Sequence, residues 1–484
     1  MTEAFHPLLQ FDAHPTVAER SDRGRAERAR VPRKTQAEWD PASRKADPIE
    51  LLVEQEKTRV PGLLSLRHER MGATAFTFYR GTAVIMASDL ASQPSTDLYV
   101  QLCGDAHLSN FGLFAAPDRK PVFDLNDFDE TNPGPFEWDV KRLSTSFVLA
   151  AQDNGFTPRV AAQAAAAAAG EYRRSMALYA AKPEIDIWYE RVDASSIMEW
   201  SKGADRQVNE KMLAKSMSRA QARTVWTTVN KMTEIVDGRR RFITDPPTII
   251  RVPEDTMAWQ LMKDALDGYY DTLAPDRRAL LRRYEVVDLG HKVVGVGSVG
   301  LLAWVALLVG RDSDDILVLQ IKQAQQSVLE PYTRPSDYAH SGERVVEGQR
   351  LIQAASDSFL GWVSGALGRQ YYVRQLRDMK WSPDPASFRP EGLVNYAELC
   401  GHVLARAHAR SGDAIAISSY IGNSTRFDDA IASYSVEYAN QVQADFAEFH
   451  KALADGRLVS GQTSKDLDQY MAALRNPSLV PTGS

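Results

Sequence analysis

The chain has 484 residues, more than a single hydrophobic core usually serves, so two lobes or domains are expected. With 44% hydrophobic and 25% charged residues, its composition is that of an ordinary soluble protein and not of a disordered one. A net charge of −6 excludes a general nucleic-acid-binding protein, which would carry a basic surface. The two isolated cysteines suggest neither a disulfide framework nor a cysteine zinc site.

We predict the cellular compartment from the signal-peptide and membrane-span patterns of the sequence. The first residues show no basic region followed by an apolar run, so no signal peptide is expected. The longest apolar stretch, residues 293–310, contains several glycines, and we interpret it as two strands joined by a turn and not as a membrane span. We therefore expect a cytoplasmic protein without a membrane partner.

The first half of the chain reads as mostly helical. Residues 1–47 are predicted to be a poorly ordered or surface-wrapped arm, although the arginines in it could also bind a phosphate or a partner. Regular structure is expected from Pro48 onward. The predicted elements follow the chain as a helix at 48–60, a strand running into a helix at 73–86, a strand at 98–108, helices at 137–175, and helices at 183–280 interrupted by a proline-marked loop at 243–255.

The periodicity changes at Tyr284. Three β-like runs follow up to Ala324, then a helix at 343–356, a strand at 368–380 and helices to the end. We therefore predict an α+β fold with a helical lobe at 48–283, a β-rich lobe at 284–378, and C-terminal helices at 379–484 that complete the first lobe.

One stretch, residues 102–146, concentrates acidic residues on two adjacent strands and loops. Asp105 and Asn110 stand five residues apart just after a strand, and Asp127 follows in a second strand-like run. Phosphoryl transfer needs a carboxylate to orient an acceptor hydroxyl and oxygen ligands to hold Mg²⁺. Each element alone would be an ordinary turn rich in Asp and Asn, but the three in this order favour the functional interpretation.

This stretch resembles the catalytic region of kinase-like phosphotransferases of the aminoglycoside and choline kinase type. The matching text is GDAHLSN at 104–110, NDFD at 126–129 and WDVKRL at 138–143. The resemblance implies that Asp105 is the catalytic base, that Asn110 and Asp127 bind Mg²⁺, and that Asp139 holds the catalytic loop. Cys103 departs from the family, which usually has His there.

A second stretch, GVGSVG at 295–300, is a GxGxxG sequence. A dinucleotide-binding fingerprint would need a helix after the glycines, but another strand-like run follows, and then a strand that ends near Lys322. This arrangement resembles the nucleotide lobe of a kinase. The resemblance implies nucleotide contacts from Gly295, Gly297, Ser298, Gly300 and Lys322, an ion pair between Lys322 and Glu347 (or Glu343), and a hinge at residues 371–376.

The order of these motifs is the reverse of that in a kinase, in which the glycine loop comes first. Either one resemblance is accidental or the fold is a circularly permuted kinase-like fold. The segment 399–413 supports permutation, since it resembles the helix that normally precedes the catalytic loop. From residue 48 onward the chain also resembles the bacterial DUF2252 family, in text such as RMGATAFTFYRG (70–81) and GERVVEGQRLIQAASDSFLGW (342–362).

The sequence thus predicts a phosphotransferase that uses ATP and Mg²⁺, with a small-molecule hydroxyl acceptor favoured over a protein. Three alternatives stay open: transfer of AMP from the same nucleotide, a pseudokinase that binds nucleotide and acts through a partner, and a glycine loop that belongs to an unrelated binding domain. The last predicts that Lys322 does not approach Asp127.

Overall fold

The computed structural model describes residues 14–197, 225–246, 248–293, 297, 299–365, 368–376, 381–461 and 464–475. Its helices are α1 (Val17–Arg30), α2 (Pro48–Glu56), α3 (Leu64–Met71), α4 (Ala75–Arg80), α5 (Ala83–Leu90), α6 (Phe136–Asp153), α7 (Pro158–Tyr179), α8 (Glu184–Tyr189), α9 (Val225–Met232), α10 (Met257–Thr272), α11 (Pro275–Leu281), α12 (Ser341–Ile352), α13 (Pro390–Ala409), α14 (Ala414–Ile421), α15 (Arg426–Ala454) and α16 (Ser464–Arg475).

The strands are fewer and shorter. They are β1 (Tyr99–Leu102), β2 (Phe111–Ala115), β3 (Pro121–Leu125), β4 (Asn132–Pro135), β5 (Val192–Asp193), β6 (Thr233–Val236), β7 (Arg239–Phe242), β8 (Ile249–Arg251), β9 (Glu285–Lys292), β10 (Ala303–Val309), β11 (Ile316–Ala324), β12 (Gly361–Ser364) and β13 (Gln370–Gln375). The fold is therefore α+β, as the sequence predicts.

The larger core is helical and is built on α6, α7, α13 and α15. Small residues let α7 and α13 approach closely: a Cβ added to Gly401 would lie 2.2 Å from the carbonyl oxygen of Ala168. The alanine run of α7 is buried at Ala164, Ala165 and Ala168, so this helix is packed tightly in the interior.

The smaller core surrounds a six-stranded antiparallel sheet with the strand order β12-β13-β11-β10-β9-β8. On one face, Leu319 and Ile321 pack with residues of α10. On the other face, Val305 and Val318 pack with α9 and the β6–β7 hairpin. Both faces of β10 and β11 are therefore covered, in keeping with their nearly unbroken apolar sequences.

Three local predictions are wrong. The segment 73–86 forms α4 and α5 without a strand, because Thr74 caps α4 by accepting a hydrogen bond from the Thr77 backbone and the buried aromatic residues lie on helix faces. Residues 233–242 form a hairpin and not a helix, although Asp237-Gly238, both with positive φ, are a known hairpin signal. Within the loop at 243–255, Ile249–Arg251 forms the edge strand β8.

The N-terminal arm contains the helix α1, which was not predicted, and lies on α14. Its arginines are used for this packing: Arg28 donates to the carbonyl oxygen of Tyr420 (2.8 Å) and Arg33 to that of Ile421 (2.6 Å). These carbonyls stand at the C-terminal end of α14, where helix carbonyl groups lack partners within the helix. Within the part of the chain that the structure describes, no helix is long and apolar enough to cross a membrane.

Candidate functional site

The loop after β1 carries the first predicted residues, and α6 holds it. Asp139 accepts hydrogen bonds from the backbone N–H groups of Cys103 (2.6 Å) and Gly104 (3.1 Å). Gly104 has φ +83°, and a Cβ there would lie 2.2 Å from the carbonyl oxygen of Glu130. The loop thus needs glycine at this position, and the predicted role of Asp139 in holding it is confirmed.

Asp105 lies at the centre of this loop and is paired with α6. The Nε atom of Arg142 donates to its Oδ1 at 2.6 Å, and Nε2 of His107 stands 3.6 Å from its Oδ2. Burial raises the pKa of Asp105 above its usual value, although the charge of Arg142 opposes that shift. Because Arg142 and Asp139 are three residues apart on one helix, one face of α6 positions both the loop and its carboxylate.

The β2–β3 hairpin brings Asn110 and Asp127 together. Phe111 pairs with Leu125, and the N–H of Asn126 donates to the carbonyl oxygen of Asn110 at 2.8 Å. The amide nitrogen of Asn110 donates to the backbone oxygen of Asp105 at 2.7 Å, so its amide oxygen is the atom left for a ligand.

Cys103 stands where the kinase-like families usually have His. It is buried, and its Sγ–H donates to the carbonyl oxygen of Asp127 at 3.2 Å. The thiol therefore connects the start of the loop that carries Asp105 to the backbone of the metal-ligand candidate.

Lys322, on β11, reaches this acidic loop from the six-stranded sheet. Its Nζ lies 3.6 Å from Oδ1 of Asp127 and forms an ion pair with Asp129, which also accepts a 2.8 Å hydrogen bond from the Tyr372 hydroxyl. Burial disfavours the charge of Lys322, but Asp127 and Asp129 outweigh it and raise its pKa above the usual value. The structure thus joins the two separate stretches, contrary to the alternative of an unrelated glycine-loop domain.

The predicted ion pair between Lys322 and Glu347 is wrong. Glu347 pairs instead with Arg350 (2.6 Å) on the same helix, and Asp129 takes its place beside Lys322. The helix α12 turns Arg344 and not Glu347 toward the acidic loop: Arg344 donates to the backbone oxygen of Asp129 at 2.8 Å. Glu343, the other candidate, precedes Arg344 by one residue and so faces a direction roughly 100° away.

The glycine segment is described in part. Gly297 and Gly300 are described, whereas Gly295 and Ser298 lie outside the described residues. Buried arginines from the segment before α3 and from α3 itself hold its backbone: Arg59 donates to the carbonyl oxygen of Val299 (2.6 Å) and Arg67 to that of Gly297 (2.8 Å). Gly300 has φ +94°, and its carbonyl oxygen accepts a 2.8 Å bond from the N–H of Val60.

The predicted hinge at residues 371–376 covers all but the first residue of β13. Tyr372 from this segment reaches Asp129, and Arg374 donates through Nε to Oε1 of Gln320 at 3.0 Å. Gln320 precedes Lys322 by two residues and shares its face of the sheet. The hinge segment therefore contributes polar side chains to the same face as Lys322.

A cleft of about 520 Å³ unites these elements between the two cores. Its charged lining includes both signs and comes from distant parts of the chain: Arg59, Arg80, Asp105, Asp127, Asp129, Glu130 and Arg369. Gly297 and Asn110 also line it, and Lys322 contacts two of the lining carboxylates. Such a mixture suits an anionic ligand accompanied by a cation.

The acidic loop also carries candidate ligands for Mg²⁺. Asn110 and Asp127 offer only oxygen ligands, which Mg²⁺ prefers, and the side chain of Asp127 is 36% exposed toward the cleft. Within the described residues, no cluster of three or more His, Cys, Asp or Glu has the arrangement of a metal site. The donor set therefore fits an ion held by one or two protein groups plus the phosphates of a ligand.

Helix α13 supports the loop that carries Asp105 from behind. Nε2 of His408 lies 3.3 Å from Asp139, Arg406 binds Asp124 at 2.6 Å, and the hydroxyl of Tyr396 donates to the backbone oxygen of Leu108 at 3.0 Å. The helix that contains residues 399–409 thus packs against the loop that carries Asp105.

Sequence reasoning missed several residues of the cleft. Arg142 could have been found, since its spacing from Asp139 places both on one helix face. Asp129 lies within the NDFD text at 126–129, but the sequence did not identify it as the partner of Lys322. Tyr372 belongs to the predicted hinge segment, but its hydrogen bond to Asp129 was not predicted. Arg59 and Arg80 reach the cleft only through the tertiary fold, and no local pattern identified them.

The fold and the site define an α+β protein with a charged cleft between a helical core and a six-stranded sheet. A family model described as "Uncharacterized protein conserved in bacteria (DUF2252)" matches residues 59–452. Since this match spans most of the chain, the protein belongs to the DUF2252 family. No curated protein and no solved structure matches the chain.

Proposed function

We propose that this protein is a phosphotransferase of the kinase-like kind that moves the γ-phosphoryl group of ATP, with Mg²⁺, to a hydroxyl acceptor. The observation that carries the proposal is the meeting of Lys322 with Asp127 and Asp129 in a cleft that also contains Asp105, Asn110 and Gly297. These are the parts that phosphoryl transfer requires: a cation for the phosphates, oxygen ligands for a metal, and a carboxylate for the acceptor.

The arrangement of the sheet supports a kinase-like nucleotide lobe. The glycine segment joins the antiparallel strands β9 and β10, and Lys322 lies on β11, the next strand, in the order expected for a glycine-rich hairpin and its lysine. The catalytic loop precedes this lobe in the chain but α13 packs behind it, which is the arrangement that a circular permutation of a two-lobed kinase-like fold would give.

In the proposed reaction, the acceptor oxygen forms a bond to the γ-phosphorus while the bond to the β,γ-bridging oxygen breaks, and ADP leaves. Asp105 orients the acceptor hydroxyl and takes its proton through Oδ2, because Oδ1 is engaged by Arg142. Arg142 fixes the position of this carboxylate, so catalysis rests mainly on orientation and charge neutralisation.

Asn110 and Asp127 would hold Mg²⁺, which neutralises charge on the phosphates when bound. Lys322 holds its positive charge beside these carboxylates and can exchange part of its contact with Asp127 for a phosphate oxygen. Asp129, hydrogen-bonded to Tyr372, would remain its fixed partner. A small-molecule acceptor is favoured over a protein only by analogy of the catalytic loop with antibiotic and choline kinases.

Thermal stability with and without Mg·ATP tests the shared site. A ligand that binds only the native state adds about 2.7 kcal/mol at a hundredfold excess over Kd, so the wild-type midpoint should rise by a few degrees. Asp127→Ala and Lys322→Ala should each lose most of this rise, whereas the exposed-site controls Asp186→Ala and Lys120→Ala should keep it.

A folded wild-type protein with no Mg²⁺-dependent shift would contradict the proposal at its base. Product masses then separate the transfer reactions, because an acceptor gains the mass of phosphate in one and of AMP in the other. Binding without turnover for every acceptor, water included, would instead indicate a pseudokinase.

A further inference from the structure

The motif RMGATAFTFYRG at 70–81 has no role in the proposed mechanism, yet it ends inside the cleft. Arg80 is the last residue of α4, and Arg80 and Gly81 line the cleft together with Asp105, Asp127 and Gly297. A Cβ added to Gly297 would lie 3.3 Å from the carbonyl oxygen of Arg80, so the end of α4 touches the glycine segment directly.

Two arginine bridges fix the residues on either side of Arg80. Arg142, which binds the Asp105 carboxylate, also donates to the carbonyl oxygen of Tyr79 at 3.0 Å. Arg67 donates to the carbonyl oxygens of both Gly81 (2.9 Å) and Gly297 (2.8 Å). The chain at Arg80 is therefore tied to the catalytic loop through one neighbour and to the glycine segment through the other.

The side chain of Arg80, in contrast, makes no hydrogen bond to any residue that the structure describes. Its guanidinium lies 5.9 Å from the ring centroid of Phe76, and its buried Nε has no partner in the described part of the chain. Among the described residues, no carboxylate stands within ion-pair distance of it. Burial lowers the pKa of Arg80, while the charges of Asp105 and Asp127 raise it in part.

Arg80 differs in this respect from its buried neighbours Arg67 and Arg142. Both are buried, and both spend their donors on backbone oxygens or a carboxylate. A guanidinium that is desolvated without such partners is costly, and its planar fork of donors matches the oxygens of a phosphate. The arrangement therefore keeps one arginine available for an anionic ligand at the junction of the two halves of the cleft.

We propose that Arg80 binds the terminal phosphate of the nucleotide, next to the acceptor position at Asp105. This assignment rests on the proposed function, because it is the position beside Asp105 that makes the bound phosphate the transferred one. Lys322 acts from β11, beside Asp127. With Arg80 from α4 and Lys322 from the sheet, two cations would stabilise the negative charge of the phosphoryl group during transfer.

Titration calorimetry with Mg·ATP and Mg·ADP tests this assignment. Arg80→Gln should raise the Kd for Mg·ATP roughly 10- to 100-fold, the loss expected for a charge-assisted phosphate contact. Its Kd for Mg·ADP, which lacks the terminal phosphate, should change by less than about threefold. The control Arg159→Gln, on the exposed face of α7, should leave both values unchanged.

Arg80→Lys is the second variant, in case the glutamine variant does not fold. It keeps a positive charge but cannot form the two-pronged contact, so it should weaken Mg·ATP binding several-fold and spare Mg·ADP. Equal losses for the two nucleotides, or no loss for Mg·ATP, would overturn the terminal-phosphate assignment and leave the proposed function intact. A folded wild-type protein that binds neither nucleotide would overturn both.

Discussion

The two sides of the cleft differ in where their supporting contacts come from. On the acidic side, the loop that carries Asp105 is held largely by α6, which begins about thirty residues later and supplies Asp139 and Arg142. On the glycine side, the segment at Gly297 is held by Arg59 and Arg67, more than two hundred residues earlier in the chain. The acidic side is thus held mainly by nearby sequence, with α13 packed behind it, whereas the glycine side depends on distant parts of the fold.

This difference has a consequence for stability and function. The acidic loop, its hairpin and α6 form a compact unit of neighbouring elements, so the geometry of Asp105 and Asn110 follows once these elements fold. The glycine segment reaches its position only when the segment before α3 has packed on the sheet. Substitutions of Asp105 and its neighbours on the acidic side are therefore expected to affect the proposed chemistry. Substitutions on the glycine side are expected to affect the assembly of the cleft.

The largest effect is expected on the acidic side, from Asp105→Asn. The amide can keep a contact with Arg142 through its oxygen but cannot accept a proton, so turnover should fall by about 10²- to 10⁴-fold. The measurement is Mg·ATP consumption, with water in place of the acceptor until one is identified. Nucleotide binding should persist. Undiminished turnover in this variant would remove Asp105 from its proposed role.

The second prediction concerns the corrected ion pair and compares Asp129→Asn with Glu347→Gln. Asp129 pairs with Lys322, whose side chain is 3% exposed, so the substitution leaves a buried ammonium with a weaker partner and should cost about 3 kcal/mol of unfolding free energy. Among the described residues, Glu347 pairs only with the partly exposed Arg350, and its loss should cost less than about 0.5 kcal/mol.

Urea unfolding of the two variants measures this difference, and an unchanged slope of free energy against urea checks that both unfold in the same way. Equal costs, or a larger cost for Glu347→Gln, would restore Glu347 as the partner of Lys322. The outcome would also show whether the sheet side of the cleft depends on the acidic loop for its charge balance.

The same division explains how much the sequence could predict. That Asp139 holds the loop was implied by the resemblance of residues 102–146 to kinase-like phosphotransferases, and the matching motifs all lie within this one local stretch. The three strands ending near Lys322 were predicted from their apolar runs bounded by Gly and Asp. In both cases the information was contained in neighbouring residues.

The errors have one physical origin, which is that partners distant in sequence are chosen by packing. The way α12 packs on the sheet turns Arg344, and not Glu347, toward the acidic loop. The helical pattern of this segment does not predict which of its faces packs there. The position of Arg80 in the cleft was missed because its aromatic segment was predicted to be a strand, whereas the Thr74 cap favours a helix. The hairpin at Asp237-Gly238 is different, since its turn signal was present in the sequence and was outweighed by the helical reading of residues 183–280.

The smallest expected effect is a pH dependence at Glu130, where the two sides meet. Its Oε2 accepts a 2.8 Å hydrogen bond from the N–H of Val328, and its carbonyl oxygen accepts one from the Ser327 hydroxyl, both beyond the end of β11. Burial raises the pKa of Glu130 to about 7, with Arg344 opposing the shift and the nearby Asp129 and Asp105 adding to it.

A carboxyl group with a raised pKa in the folded state holds its proton there after the unfolded chain has lost it. The folded state should therefore lose stability as the pH rises from about 4.5, the ordinary value, to about 7, and change little from this group above that. The unfolding free energy should fall by about 1–2 kcal/mol over this pH range, which is less than the full linkage value because the side chain is partly exposed.

The difference in unfolding free energy between wild type and Glu130→Gln, measured from pH 4 to pH 8, isolates this group because the other titrating residues cancel. Glu130→Gln should gain stability relative to wild type as the pH rises through this window. A difference that stays flat would mean that Glu130 is ionised throughout, so that the joint between the two sides of the cleft carries a full negative charge next to Asp129. In that case the positive charges of Arg344 and Lys322 would have to balance two carboxylates at this point, and the cleft would be less ready to accept the phosphates of a nucleotide.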